Sequence, residues 1–237
     1  MGRAYCGDVK TYTAAQVREA ETPFLEAGVP LMDRASAGLA AEVAALLRER
    51  GGDVAGTRVL VLAGAGNNGG DALHAAALLA AQGAQVSIVP TAPRLHEAGL
   101  AAALTAGAEL LRLEEPAAAL AGRARASDLI LDGILGTGTS GSPALRGRAR
   151  EVVAAVLPAL RAGEAPVVVA VDLPSGIGAD NGSVPDGAVL PAAVTVTFGG
   201  CKAGLVREPA AGVAGRVVVV DIGIGAELDR IAARDRG

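Results

Sequence analysis

The chain is poor in several things that would mark common function classes. Lysine occurs twice, at Lys10 and Lys202, so arginine supplies 19 of the 21 basic residues. Neither lysine follows a glycine, which excludes a Walker A loop and with it a P-loop nucleotidase. Aromatics number four (Tyr5, Tyr12, Phe24 and Phe198) and tryptophan is absent, so no base-stacking platform is available. A net charge of −4 argues against a phosphate-backbone binder, and no nucleic-acid partner is expected. Apolar runs are broken well before the ~20 residues of a membrane span, and residues 1–8 carry no apolar signal core. The expectation is a cytoplasmic protein with no membrane partner. Cysteine occurs twice, at Cys6 and Cys201, without CxxC or metal spacing; both are expected to stay reduced thiols.

What is present is small and apolar. The 237 residues include 53 Ala and 33 Gly, and mean hydropathy is +0.41, which excludes disorder. Helices are expected over 11–27 and 31–50, the second with apolar residues at Leu31, Ala35, Leu39, Val43 and Leu46. Strands then alternate with helices. Strands are read at 58–63, 84–89, 109–113, 128–132, 166–171, 194–198 and 216–220. Helices are read at 71–82, 95–106, 117–125 and 145–161, with a short polar helix from 226 to the end. Such alternation implies βαβ units with right-handed crossovers. The expected fold is α/β, a Rossmann-like three-layer αβα sandwich with a mainly parallel sheet. The chain reads as a single domain over 1–237, with N-terminal helices 11–50 packed on an α/β core at 57–225 or forming an oligomer contact.

Ligands of such sheets sit beyond the carboxyl ends of the strands. Three strands end in unusual loops. The first, 64–71, spells GxGxxG and packs Asn67, Asn68, Gly69, Gly70 and Asp71 together. The second, 132–142, repeats GxGxxG at Gly136, Gly138 and Gly141 and adds hydroxyls at Thr137, Thr139, Ser140 and Ser142, the makings of an anion cradle. The third, 172–178, puts Asp172 and Ser175 at the end of the most β-branched strand. A plain NAD dehydrogenase is disfavoured, because the second strand ends in Val89-Pro90-Thr91 without the ribose-binding acid. Asn68, Asp132 and Ser175 fall on one sheet edge and offer an amide oxygen, a carboxylate and a hydroxyl. These hard oxygens suit an alkali or alkaline-earth cation rather than zinc. A single carboxylate favours a monovalent ion.

These loops, in this order, resemble the NAD(P)H-hydrate epimerase family, also called the YjeF N-terminal domain family. The matching stretches are Ala63–Asp71, Asp132–Gly138, Val171–Gly176 and Thr195–Gly204, with Leu31–Ala35 and Val219–Gly223 alongside, so the resemblance covers nearly the whole chain. It implies an isomerase of nicotinamide nucleotide repair that interconverts the R and S forms of hydrated NADH or NADPH. The implied partner is an NAD(P)H-hydrate dehydratase, separate or fused, and the implied cofactor is one K+ per subunit. Carried over by motif, substrate contacts fall on Asn67, Asn68, Gly69, Gly70 and Asp71, on Gly136, Thr137, Gly138, Thr139, Ser140, Gly141 and Ser142, and on Asp172. Potassium ligands fall on Asn68, Asp132 and Ser175. Two departures stand out: His74 where many relatives have Val, and Cys201 where they often have Pro.

Inversion at the hydrated carbon needs a proton given to or taken from its hydroxyl. Asp172 is the candidate catalytic acid/base, and Lys202 the second candidate, anchoring substrate or stabilising Asp172. The competing reading is a non-catalytic nucleotide-binding or scaffold module of the same fold. A homodimer through the first helices is a further expectation.

Overall fold

The computed structural model describes residues 4–5, 10–138, 141–161 and 166–235. Two short strands, β1 (Ala4–Tyr5) and β2 (Thr11–Tyr12), precede α1 (Ala14–Glu26) and α2 (Leu31–Glu49). The alternating part runs β3 (Arg58–Ala63), α3 (Asn67–Ala81), β4 (Gln85–Pro90), α4 (Glu97–Thr105), β5 (Glu109–Leu110), α5 (Ala117–Ala126), β6 (Leu129–Gly133), α6 (Gly147–Val156) and β7 (Val167–Val171). The chain then forms β8 (Val194–Phe198), β9 (Cys201–Lys202), α7 (Ala211–Ala214), β10 (Arg216–Val220) and α8 (Gly225–Arg234).

The main sheet has the order β1-β10-β8-β7-β6-β3-β4-β5, and every strand but the edge strand β1 runs parallel. Strand order reverses at β3: β4 lies on one side of it and β6 on the other. A crevice opens at such a switch point. Alternation along β3 divides the core. Val59, Val61 and Ala63 pack under α2 and α3, and Leu60 and Leu62 under α5 and α6. The expected three-layer α/β fold is therefore present. Small residues let the layers approach closely. A Cβ at Gly38 of α2 would stand 2.3 Å from Val220 Cγ1.

Several boundaries differ from expectation for local reasons. Residues 11 and 12 pair with β9 (Thr11↔Cys201, Tyr12↔Lys202) instead of starting α1. Thr13 caps α1, and its hydroxyl accepts from the Gln16 N–H in a full capping box. The fourth helix of the α/β run starts at Gly147 rather than 145, and its end tightens into a 3-10 turn at Leu157–Arg161. The C-terminal helix is amphipathic: Leu228, Ile231 and Ala232 are buried. Cys201 is disulfide-bonded rather than reduced. Sequence distance misled here, because β1 and β2 return the N-terminal segment to the C-terminal strands. The chain's other cysteine, Cys6, lies outside the described residues.

Candidate active site

Helix α3 begins at Asn67, four residues earlier than expected, so Asp71 is in its second turn and does not cap it. Gly66 occupies the cap, and no side chain caps the helix among the described residues. The first N–H groups of α3 have no intrahelical acceptor, which makes this helix start a ready anion site. Glycine is required behind them. A Cβ on Gly64 would stand 1.9 Å from the Ile134 carbonyl oxygen, and one on Gly69 would stand 2.1 Å from that of Gly64. These contacts knit the end of β3 to the end of β6, where the Gly64 N–H also donates to the Gly133 carbonyl at 3.1 Å.

The three oxygens read as cation ligands meet around 133–136. The Asn68 amide lies against Gly136, where a Cβ would be 3.0 Å from Oδ1. Ser175 Oγ accepts from the Leu135 N–H at 2.9 Å and donates to the Leu135 carbonyl at 3.2 Å. Asp132 is fully buried and accepts from the Ser175 N–H at 2.8 Å. Burial raises the Asp132 pKa, and the Ser175 hydrogen bonds oppose that rise. Asn68 Oδ1 and Nδ2 are buried without a hydrogen-bond partner among the described residues. An orphaned amide oxygen beside a buried carboxylate and a hydroxyl fits a cation with hard-oxygen preference.

Asp172 follows β7 with φ +63°, in the left-handed region that a non-glycine residue seldom adopts. The Leu173 N–H bonds back to the Val171 carbonyl at 2.7 Å, a tight turn that swings the carboxylate off the strand end. Its Oδ1 accepts from Lys202 Nζ at 2.5 Å and from Thr197 Oγ1 at 2.9 Å. Lys202 Nζ also donates to Thr197 Oγ1 at 3.0 Å and to the Phe198 carbonyl at 2.8 Å. Three acceptors thus meet the three N–H groups of one ammonium. Lys202 is 2% exposed and Asp172 8%.

These parts line one cleft of about 690 Å³, a volume ordinary for a small-molecule site. Asn67, Asn68, Asp71, Gly136, Thr137, Gly138, Asp172 and Lys202 reach it. Asp132 and Ser175 lie buried behind its wall, and Gly69 and Gly70 are buried in the packing of α3. Gly141 and Ser142 are exposed and do not line it. Of the second loop, Gly136, Thr137 and Gly138 are the described residues that face the cleft. Thr139 and Ser140 lie outside the described residues. His74 also stays out of the cleft; its ring meets that of His96 edge-on at 5.6 Å.

One wall was not foreseen. Arg18, Glu21 and Thr22 of α1 and Met32 of α2 line the cleft. Helical spacing carries the signal: Val17 and Ala20 face the core, so 18, 21, 22 and 25 share the neighbouring stripe. Burial raises the Glu21 pKa, with the Asp172 charge adding to the rise and Lys202 opposing it. Asp71 is raised well above its ordinary value, first by burial and then by the charges of Asp172 and Glu21.

With this geometry in place, a family model described as YjeF-related protein N-terminus matches residues 29–204. The chain belongs to that family. An NAD(P)H-hydrate epimerase of Clavibacter michiganensis subsp. michiganensis is 54% identical over 214 residues, covering 90% of each chain. One from Microbacterium testaceum is 46% identical, covering 94% of this chain and 82% of its own. A bifunctional NAD(P)H-hydrate repair enzyme, Nnr, of Mycobacterium tuberculosis is 43% identical over 94% of this chain but only 45% of its own length. The crystal structure of yeast ynu0 (YNL200c) superposes with a TM-score of 0.69 at 22% identity, covering 83% of each chain, and so shares the YjeF-type fold.

Proposed function

We infer that the chain is an NAD(P)H-hydrate epimerase, an isomerase exchanging the R and S forms of hydrated NADH and NADPH. The observation that carries this is a buried Asp172–Lys202–Thr197 group opening on a cleft whose other walls are the α3 N-terminus and a glycine loop. The names of the similar proteins supply the substrate.

The hydrate carries its hydroxyl on the carbon beside the ring nitrogen. Inversion proceeds by ring opening or by reversible loss of water, and either route moves a proton at that oxygen. Both hydrogen bonds described for Asp172 fall on Oδ1, so Oδ2 is the oxygen available to the substrate hydroxyl. Lys202 holds the carboxylate in place through a direct ion pair. The α3 N–H groups and residues 136–138 receive phosphate and ribose oxygens. A potassium ion, one per subunit, is the proposed resident of the Asn68, Asp132 and Ser175 oxygens. Bound there, it would supply positive charge opposite Asp132 and tie the three loops together. Functional coupling to an NAD(P)H-hydrate dehydratase follows the two-activity name of the mycobacterial relative. A cytoplasmic location and a homodimer through α1 and α2 complete the proposal, checked by cell fractionation and by light scattering on the purified chain. Among the described residues no helix is long and apolar enough to cross a membrane.

The decisive test is R/S exchange of purified hydrate, followed by NMR or chromatography, in potassium and in choline buffers. Exchange well above the spontaneous rate and lost in choline is the expected result. Exchange at the spontaneous rate in both would leave a non-catalytic binding module.

A further inference from the structure

We propose that Arg18 is the cationic anchor for the pyrophosphate of the substrate, presented by α1 across the Gly136–Gly138 loop. The proposal rests on the reading of the cleft as a hydrated-dinucleotide site and adds a fourth element to its three loops.

Arg18 lines the cleft and is exposed there. Its Nη1 donates to the Thr137 carbonyl at 3.1 Å. This bond sets the guanidinium beside the glycine loop and leaves the rest of its five-donor fork for a ligand. The position is fixed from two directions. The capping box at Thr13 sets the helix start, and the Ala14 N–H donates to Asp180 Oδ1 at 2.6 Å. Val17 and Ala20 then bury the adjoining stripe, which turns residue 18 to the cleft.

Charge accounting singles out the same residue. Among the described residues, the ionisable ones lining the cleft are Arg18, Glu21, Asp71, Asp172 and Lys202. Three carboxylates face two cations, and Lys202 spends its donors on Asp172, Thr197 and Phe198. A pyrophosphate bridge brings two further negative charges. Helix N–H groups offer partial charge only. Arg18 is the remaining full positive charge among the described lining residues, and a guanidinium fork matches two phosphate oxygens at once.

Arg18→Gln separates the two roles of the side chain. Glutamine retains an N–H donor for the Thr137 carbonyl but carries no charge. Binding of ADP-ribose and of 2′-phospho-ADP-ribose is measured by calorimetry on wild type and variant, beside hydrate exchange and a thermal melt. The expected loss is about ten- to hundredfold for both probes. KM for hydrate should rise by a similar factor, with kcat and the melt little changed. Arg18→Lys should recover part of the loss. Unchanged ADP-ribose affinity overturns the proposal, as does wild type that fails to bind ADP-ribose. A loss confined to the 2′-phospho probe also overturns it, because the contact would then lie at the ribose phosphate. Wild-type exchange with an unchanged KM in the variant sinks Arg18 alone; absence of wild-type exchange sinks the epimerase reading itself.

Discussion

At the scale of single residues, the site turns on an ammonium and a carboxylate taken out of water together. Removing one partner of such a pair costs about 3–5 kcal/mol, because the other is left charged and buried. Asp172→Asn keeps the shape and an acceptor for Lys202, so it should abolish exchange while the fold survives. Asp172→Ala, which strands the ammonium, should lose both activity and several kcal/mol in urea melts. Lys202→Arg should fail as well. The three acceptors around Nζ at 2.5–3.0 Å match a compact ammonium and not a planar fork. Glu21 gives a pH signature. Its folded pKa lies above the ordinary 4.5, chiefly through burial. A carboxyl with a raised folded pKa stabilises the fold below its ordinary value, and that stability is lost as pH rises through the raised one. Glu21→Gln should therefore match wild type near pH 4 in urea denaturation and become the more stable of the two toward pH 8. An advantage that shrank with rising pH would contradict the sign of the shift.

At the scale of elements, the glycines divide into those that build the site and those that face the ligand. Gly64→Ala drives a methyl into the Ile134 backbone, which has no rotamer to move. A loss of about 3 kcal/mol or more is expected. Gly138→Ala meets nothing within 4 Å among the described residues, so its melt should stay at the wild-type value while ADP-ribose affinity falls. Equal melts for the two variants would show that the β3–β6 seam is looser than the geometry implies. The same elements show what periodicity can and cannot reveal. Strands with five buried residues each, such as β3 and β7, were legible from their branched apolar runs. The early start of α3 was not, because Asn-Asn-Gly-Gly has poor helix propensity and reads as a turn. Tertiary contact overrides that preference, since Gly64 and Gly69 must pass backbone to backbone. Pairings of two residues, such as β2 with β9, leave no period to detect.

At the scale of the molecule, the three loops of the cleft lie up to a hundred residues apart in sequence, and sheet order brings them together. Parallel strands with a reversal at β3 place the ends of β3, β6 and β7 side by side. The adjacency of β3, β6 and β7 comes from the strand order, whereas their place on one edge was readable from βα alternation. The closing of α1 over the cleft was not, since nothing in the alternation says where helices preceding the first central strand will rest. A ligand in the cleft therefore touches the segments that follow β3, β6 and β7, together with the end of β8 and α1. Binding there should stabilise the whole chain rather than one loop. With ADP-ribose at a hundred times its Kd, linkage gives about 2.7 kcal/mol. For a chain of this size that corresponds to roughly 5–10 °C in Tm. Scanning fluorimetry should show this rise as one cooperative transition in potassium buffer and a smaller one in choline. A ligand that left Tm fixed, or split the melt into two steps, would mean that α1 and the segments after β3, β6 and β7 do not share one site.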